Sequence, residues 1–380
     1  MDRSRDDLTP GPGERTPPLA VVAREWGRIG CVGFGGPPAH VELLRELCVE
    51  RRRWLAERDF EDAIAATNLL PGPASTQLAI YCAWRLRGIA GALVGGLCFI
   101  VPGLVAILAL AGAFLAEDPP AWLRGAGLGG GAAVAAVAVH AGWSLARPAW
   151  GRARRRTRFV TYALAGAVSA ALTGPWLVVV LVGCGLAEWA LQRGVVLSFP
   201  APALVLAAAA GLPALCWTAF KVGALSYGGG FVIVPLMQSD AVDAHGWMSS
   251  GEFVNAVALG QVTPGPVTHT VAVVGYAAAG LGGALLAAFV AFAPSFSFVL
   301  LGADRFHRLL ADRGVRAFID GAAPAALGAI LGAAVPLALA ITEAWQWAVL
   351  AAASVALLVL RRGVVAVLLA AFAIGAVVGA

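Results

Sequence analysis

Two short runs combine residue types that chemistry could use. One is Pro71-Gly72-Pro73 with Ser75 and Thr76 just after it; the other is Pro264-Gly265-Pro266 with Thr268, His269 and Thr270. Both lie in apolar sequence. Proline donates no amide and clashes with the preceding turn, so a helix must break at each run. A helix restarting after the break offers free amides and the positive end of its dipole, here with hydroxyls in its first turn. That is a setting for holding an anion by hydrogen bonds, without any covalent step.

Cations add to this. Lysine and arginine together number 27, and Lys221 is the single lysine. It stands in an apolar segment, 193 positions after Arg28. A cation inside a membrane costs on the order of 3 kcal/mol and usually has a functional partner; the alternative is a side chain that snorkels to the surface. Glu25 is near Arg28, but Thr218 stands at its place beside Lys221. The missing counter-charge is therefore expected to be a diffusible anion. Asn68 and Gln261, equivalent and just ahead of the breaks, are candidate amide ligands, and His269 could titrate or donate. His40 and Glu42 face apolar counterparts, Ile233 and Pro235, and are as readily interfacial as functional. A second break lies upstream, at Gly35-Gly36-Pro37 and at Gly228-Gly229-Gly230, where glycine permits unwinding or close helix packing.

The elements that carry these residues follow from composition. Of 380 residues 59% are hydrophobic and 13% charged, and the mean hydropathy is +0.80. Apolar stretches at Ile89–Leu115, Leu128–Leu145, Gly280–Leu301 and Ala317–Ala340 are long enough for a hydrocarbon core of about 30 Å. The expected fold class is an all-α polytopic membrane protein. Residues 1–17 read as a disordered tail with no cleavable signal. The six cysteines, without CxxC spacing, read as packing residues, so no metal site is expected. The net charge of +5 comes from arginine clusters between spans, which is an orientation signal and not a nucleic-acid footprint.

The sequence also repeats. At an offset of 193, Gly30 meets Gly223, Phe34 meets Tyr227, Trp54 meets Trp247, Phe60 meets Phe253, and the two Pro-Gly-Pro runs coincide. Matched Trp, Phe and Pro at one offset point to two modules, residues 18–193 and 203–380, with a linker at 194–202. Arg45–Asp62 has five arginines, while Gln238–Asn255 has no basic residue other than His245. Lys and Arg favour cytoplasmic loops, so the modules are expected to be inverted. Each should contain broken, re-entrant helices and about four to five spans. The re-entrant pieces are placed at 63–84 and 253–278. Trp54 and Trp247 read as interfacial anchors. The side of the N-terminus is left open, and with it a total of about nine to eleven crossings.

Taken together, Phe34–Pro37 (FGGP) with Tyr227–Gly230 (YGGG), Leu70–Pro73 (LPGP) with Thr263–Pro266 (TPGP), and the aligned Arg28 and Lys221 resemble the chromate ion transporter family in its long, two-module form. The resemblance implies a secondary transporter of the inner membrane that exports chromate and confers resistance to it. It places expectation on Arg28, Gly35, Gly36, Pro37, Asn68, Pro71, Gly72 and Pro73; Gly230, where the first copy has Pro37, departs from the pattern. Sulfate or another tetrahedral oxyanion, and a passive anion channel, are alternatives. No GxxxxGK[ST], HExxH or GxSxG run is present, so neither an ATP site, a cofactor nor an intramembrane enzyme is expected. A homo-oligomer is left open.

Overall fold

The computed structural model describes residues 16–67, 72–153, 155–172, 176–194, 211–226, 231–302 and 312–379. The rest of the proposed tail, most of the linker, Asn68, Pro71, Gly228, Gly229 and Gly230 lie outside the described residues. Among the described residues every regular element is helical.

The first half runs α1 (Leu19–Val32), α2 (Pro37–Arg45) continued by a π turn (Glu46–Arg51), α3 (Glu57–Thr67), α4 (Ala74–Phe114), α5 (Ala121–Arg152), α6 (Arg156–Leu172) and α7 (Leu177–Arg193). The second runs α8 (Leu212–Leu225), α9 (Ile233–Gln238) with its π turn (Ser239–Ala244), α10 (Ser250–Val262), and a 3-10 turn (Val267–His269) leading into α11 (Thr270–Gly302). It ends with α12 (Arg313–Leu339), α13 (Ala344–Ser354) with a further π turn (Val355–Val359), and α14 (Val364–Val378). The correspondence reaches single hydrogen bonds. Trp54 N donates to Cys48 O at 2.7 Å, and Trp247 N donates to Ala241 O at 2.7 Å. Arg52 N to Leu47 O and His245 N to Asp240 O are both 3.0 Å.

α4 and α11 are bent back on themselves. Backbone angles leave the helical region at Arg87-Gly88 and at Ala279-Gly280, where both glycines have positive φ, 58° and 60°. A straight helix would hold Ala83 and Gly95 about 18 Å apart; here they are in contact. Gly275 likewise meets Gly283 and Ala287. Each element is therefore a hairpin: a short arm after the Pro-Gly-Pro break, a reversal, then a long arm. The long arms, from Ile89 and Leu281, can cross about 30 Å of hydrocarbon. Arg85, beside the first reversal, sits 3.4 Å from Asp59 near the start of α3. The chain thus goes in along α3 and returns along the short arm to the same end. The reversal at Arg87-Gly88 falls between the re-entrant piece read from sequence to end at Trp84 and the apolar stretch that starts at Ile89.

α5 and α12 are also long and apolar enough to span. Their buried faces are rich in alanine, including Ala132–Ala138 of α5 and Ala325, Ala329 and Ala333 of α12. α12 packs on α5, α6 and α7, while α13 and α14 pack on α5. The last helices of each half thus cover the long helix of the other. Small residues make this possible: a methyl group on Gly166, Gly328 or Gly332 would meet the facing backbone of α6 or α12. The halves are interlocked, and their contact is part of the core.

Candidate functional site

The two Pro-Gly-Pro breaks meet the first helix of the opposite half. The Gly265 amide, at the centre of the second break, donates to the Gly33 carbonyl at the end of α1, at 3.0 Å. Gly72, at the centre of the first, lies against the Gly223 carbonyl of α8, where an added Cβ would come within 3.1 Å. Both central glycines have positive φ, 116° and 93°, a region that side chains other than glycine occupy only with strain. Gly35 and Gly36 also have positive φ, 101° and 72°, and Pro37 opens α2 immediately after them. A proline at the first helical position loses no hydrogen bond that the helix needs.

α4 restarts at Ala74 with no side-chain cap. Its amides are not all free, as Thr76 N and Gln77 N both bond to the Pro73 carbonyl at 3.0 Å. On the other side Val267–His269 forms a 3-10 turn with the His269 amide on Pro266 O at 3.0 Å. Ser75, Thr76, Thr268, His269 and Thr270 are all buried. Thr270 Oγ1 donates to Val267 O at 2.8 Å and is used locally. Among the described residues Thr76 Oγ1 and Gln261 Nε2 have no hydrogen-bond partner, and the His269 ring has only the Ile100 carbonyl within reach. Buried polar groups left open in this way mark a place where a ligand can bond.

His40, which the sequence left as interfacial or functional, belongs to this crossing. It is fully buried. Its Nε2 lies 2.8 Å from the Gly33 carbonyl and its Nδ1 3.2 Å from Ser75 Oγ. The same carbonyl thus faces the first-half histidine and the second-half break. In the second half Ser226 stands where Gly33 does, and its Oγ lies 3.4 Å from Thr268 Oγ1. A serine there supports the hydroxyl that His40 supports in the first half. No offset comparison could have paired His40 with Ser226, because they occupy different positions in their copies. The signal available was its distance of a few residues from a Gly-Gly-Pro break.

The expected lack of a counter-charge beside Lys221 needs correction. Lys221 Nζ lies 2.5 Å from Asp240 Oδ2, and Thr218 Oγ1 donates to that same oxygen at 2.8 Å. The pair is largely enclosed, with side chains 13% and 11% exposed. Arg28 is 53% exposed and 4.0 Å from Glu25, a carboxylate that also accepts from Arg51 at 2.8 Å and Arg52 at 2.7 Å. Lys221 therefore has a fixed acid of its own, whereas Arg28 is a more distant neighbour of a carboxylate already bonded to Arg51 and Arg52. Among the described residues neither is linked by a hydrogen bond or ion pair to the groups at the breaks. Asp240 was missed because its position in the first copy is Leu47, on a different element from Glu25. Burial pushes the Glu25 carboxyl up, but the guanidiniums of Arg52 and Arg51 outweigh this and hold it below the ordinary carboxylate value.

A family model described as chromate transporter matches residues 20–189 and again residues 213–379. The chain belongs to the chromate transporter family. It is 32% identical over 346 residues to the chromate transport protein of Cupriavidus metallidurans, covering 87% of this chain and 85% of that protein. To the probable chromate transport protein of Synechococcus elongatus it is 30% identical, covering 84% of each chain. The chromate transport protein of Pseudomonas aeruginosa is 31% identical, over 82% of this chain and 79% of its own length. No solved structure matches the chain. For a chromate transporter family member, the all-α polytopic architecture and the paired breaks are the features that sequence and structure share.

Proposed function

We propose that the chain is a secondary transporter of chromate in the inner membrane, working as an exporter, with its anion site where the two breaks cross. The observation that carries this reading is the Gly265–Gly33 hydrogen bond, which joins the second break to the first helix of the other half. With it go the open donors of Thr76 and Gln261, the His269 ring, and the Ser75 and Thr268 hydroxyls that His40 and Ser226 face. Thr270 and Asn68 complete the set expected from sequence, although the Thr270 hydroxyl already has a backbone partner. Lys221 is left out of the contact set because Asp240 holds it, and Arg28 because its exposed side chain has no link to the breaks among the described residues.

The chromate dianion has four oxygen acceptors and no proton to donate, so it calls for donors. Broken backbone at membrane depth is tolerated where it is enclosed by protein or lines a wet cavity. Paired breaks in two repeats are the usual site logic of secondary transporters. The groups at the crossing are buried in this conformation, so transport requires the short arms of α4 and α11 to part toward one side at a time. The arginine-rich loops of the first half favour the cytoplasm, which makes the halves inverted. An inside-negative membrane then drives a dianion outward by about 4.6 kcal/mol per 100 mV. Chromate efflux from oriented proteoliposomes at two imposed potentials tests this. A flux indifferent to potential and to Gly265→Ala would remove both the direction and the site. Excess sulfate in the same vesicles separates a chromate carrier from a general oxyanion carrier.

A further inference from the structure

We propose that the outer face of α1, with the groove between α1 and the α2–π turn segment, binds the phosphate headgroup of an anionic phospholipid. The polar lining of the groove is Glu25, Arg28, Glu46 and Arg51, and the rest is aliphatic, including Val32. Glu25 is already satisfied by Arg51 and Arg52. Arg24 and Arg28 approach it only to 3.9 and 4.0 Å, too far for a hydrogen bond, and both are exposed. Among the described residues their guanidinium donors are thus open. Four guanidiniums face two carboxylates, Glu25 and Glu46, and the excess is positive.

The second half tells where this face points. Arg24, Gly27 and Arg28 correspond to Trp217, Phe220 and Lys221. Trp217 and Phe220 are exposed and stacked, with ring centroids 6.0 Å apart. Exposed, paired aromatics on an apolar helix belong against lipid. The same face of α1 therefore meets lipid as well, but with Arg24 in place of Trp217 and Gly27 in place of Phe220, and with Arg28 exposed one turn on from Arg24. An arginine there needs an anion, and a phosphodiester accepts from a guanidinium in bidentate fashion. Val32, exposed on α1, continues the groove with aliphatic surface for an acyl chain. The assignment rests on the reading that the arginine-rich end faces the anionic cytoplasmic leaflet. It does not depend on which anion is transported.

The test uses the full-length chain in nanodiscs of phosphatidylcholine with phosphatidylglycerol added. Native mass spectrometry reads the phosphatidylglycerol retained on the protein, with no flux measured. Arg24→Gln with Arg28→Gln should weaken retention by about five-fold per arginine removed, while Arg147→Gln should leave it unchanged. Equal retention by the double variant and the parent overturns the proposal. So does displacement of phosphatidylglycerol by inorganic phosphate or chromate at comparable concentration, which would make the groove a site for a free oxyanion. Should the double variant fail to fold, Arg24→Gln alone, at an exposed side chain without a hydrogen bond, must still show the single five-fold loss.

Discussion

The first half carries its acid on α1, at Glu25, and surrounds it with arginines. The second carries its acid on the π turn, at Asp240, and gives it one lysine and one hydroxyl. The sites correspond, yet the charges have exchanged elements. Both arrangements fasten the first helix of a half to the turn that follows α2 or α9. The second is compact and enclosed; the first is open and has charge to spare. One scaffold can thus hold the same two segments together with different residues, and the surplus on one side is free for another task.

The breaks show the converse. Gly72 and Gly265 keep residue type and positive φ in both halves, and each reaches into the opposite half. Gly72→Ala and Gly265→Ala should therefore be the most damaging changes, each abolishing chromate flux in proteoliposomes. The strain of forcing a side chain into that region is about 1–3 kcal/mol, and it falls where the arms must move. Full activity of either variant would break the equivalence of the two breaks.

The fastening pairs should differ more. Lys221→Ala leaves Asp240 enclosed with only Thr218 for company, and we expect a loss of about 3 kcal/mol, read as a lowered unfolding midpoint in detergent. Lys221→Met combined with Asp240→Leu should recover most of it. Arg28→Ala, at an exposed side chain, should cost less than about 1 kcal/mol. Equal losses would mean that the two pairs do the same work after all.

At the crossing, His40→Ala removes the ring that stands against both Gly33 O and Ser75 Oγ, whereas Ser226→Ala removes one hydroxyl contact. Flux should fall about ten-fold in the first and less in the second, the cost of one or two hydrogen bonds. The smallest effect concerns pH. The Glu25 carboxyl is held below its ordinary value by Arg52 and Arg51 against burial. Its contribution to stability is therefore present above the unfolded carboxylate value and is lost as pH falls through the lower, folded one. Glu25→Gln should remove that acid-side decline from the unfolding midpoint. An unchanged pH profile would show that the arginines do not govern it.

The sequence by itself determined the class, the repeat and the breaks. Each is written in local chemistry: long apolar runs, Trp, Phe and Pro matched at one offset, and proline's missing amide. The hairpin nature of α4 was legible too, because Arg85 and Arg87 had to return to the basic end. What only the tertiary structure decided is who meets whom. Asp240 reaches Lys221 from another element, His40 turns inward to Gly33 and Ser75, and Gly265 bonds across the halves. Such contacts join residues far apart in the chain and at non-equivalent repeat positions. Periodicity and offset register only what recurs along the chain, whereas the enclosure that makes an ion pair or a buried histidine matter comes from packing several helices together.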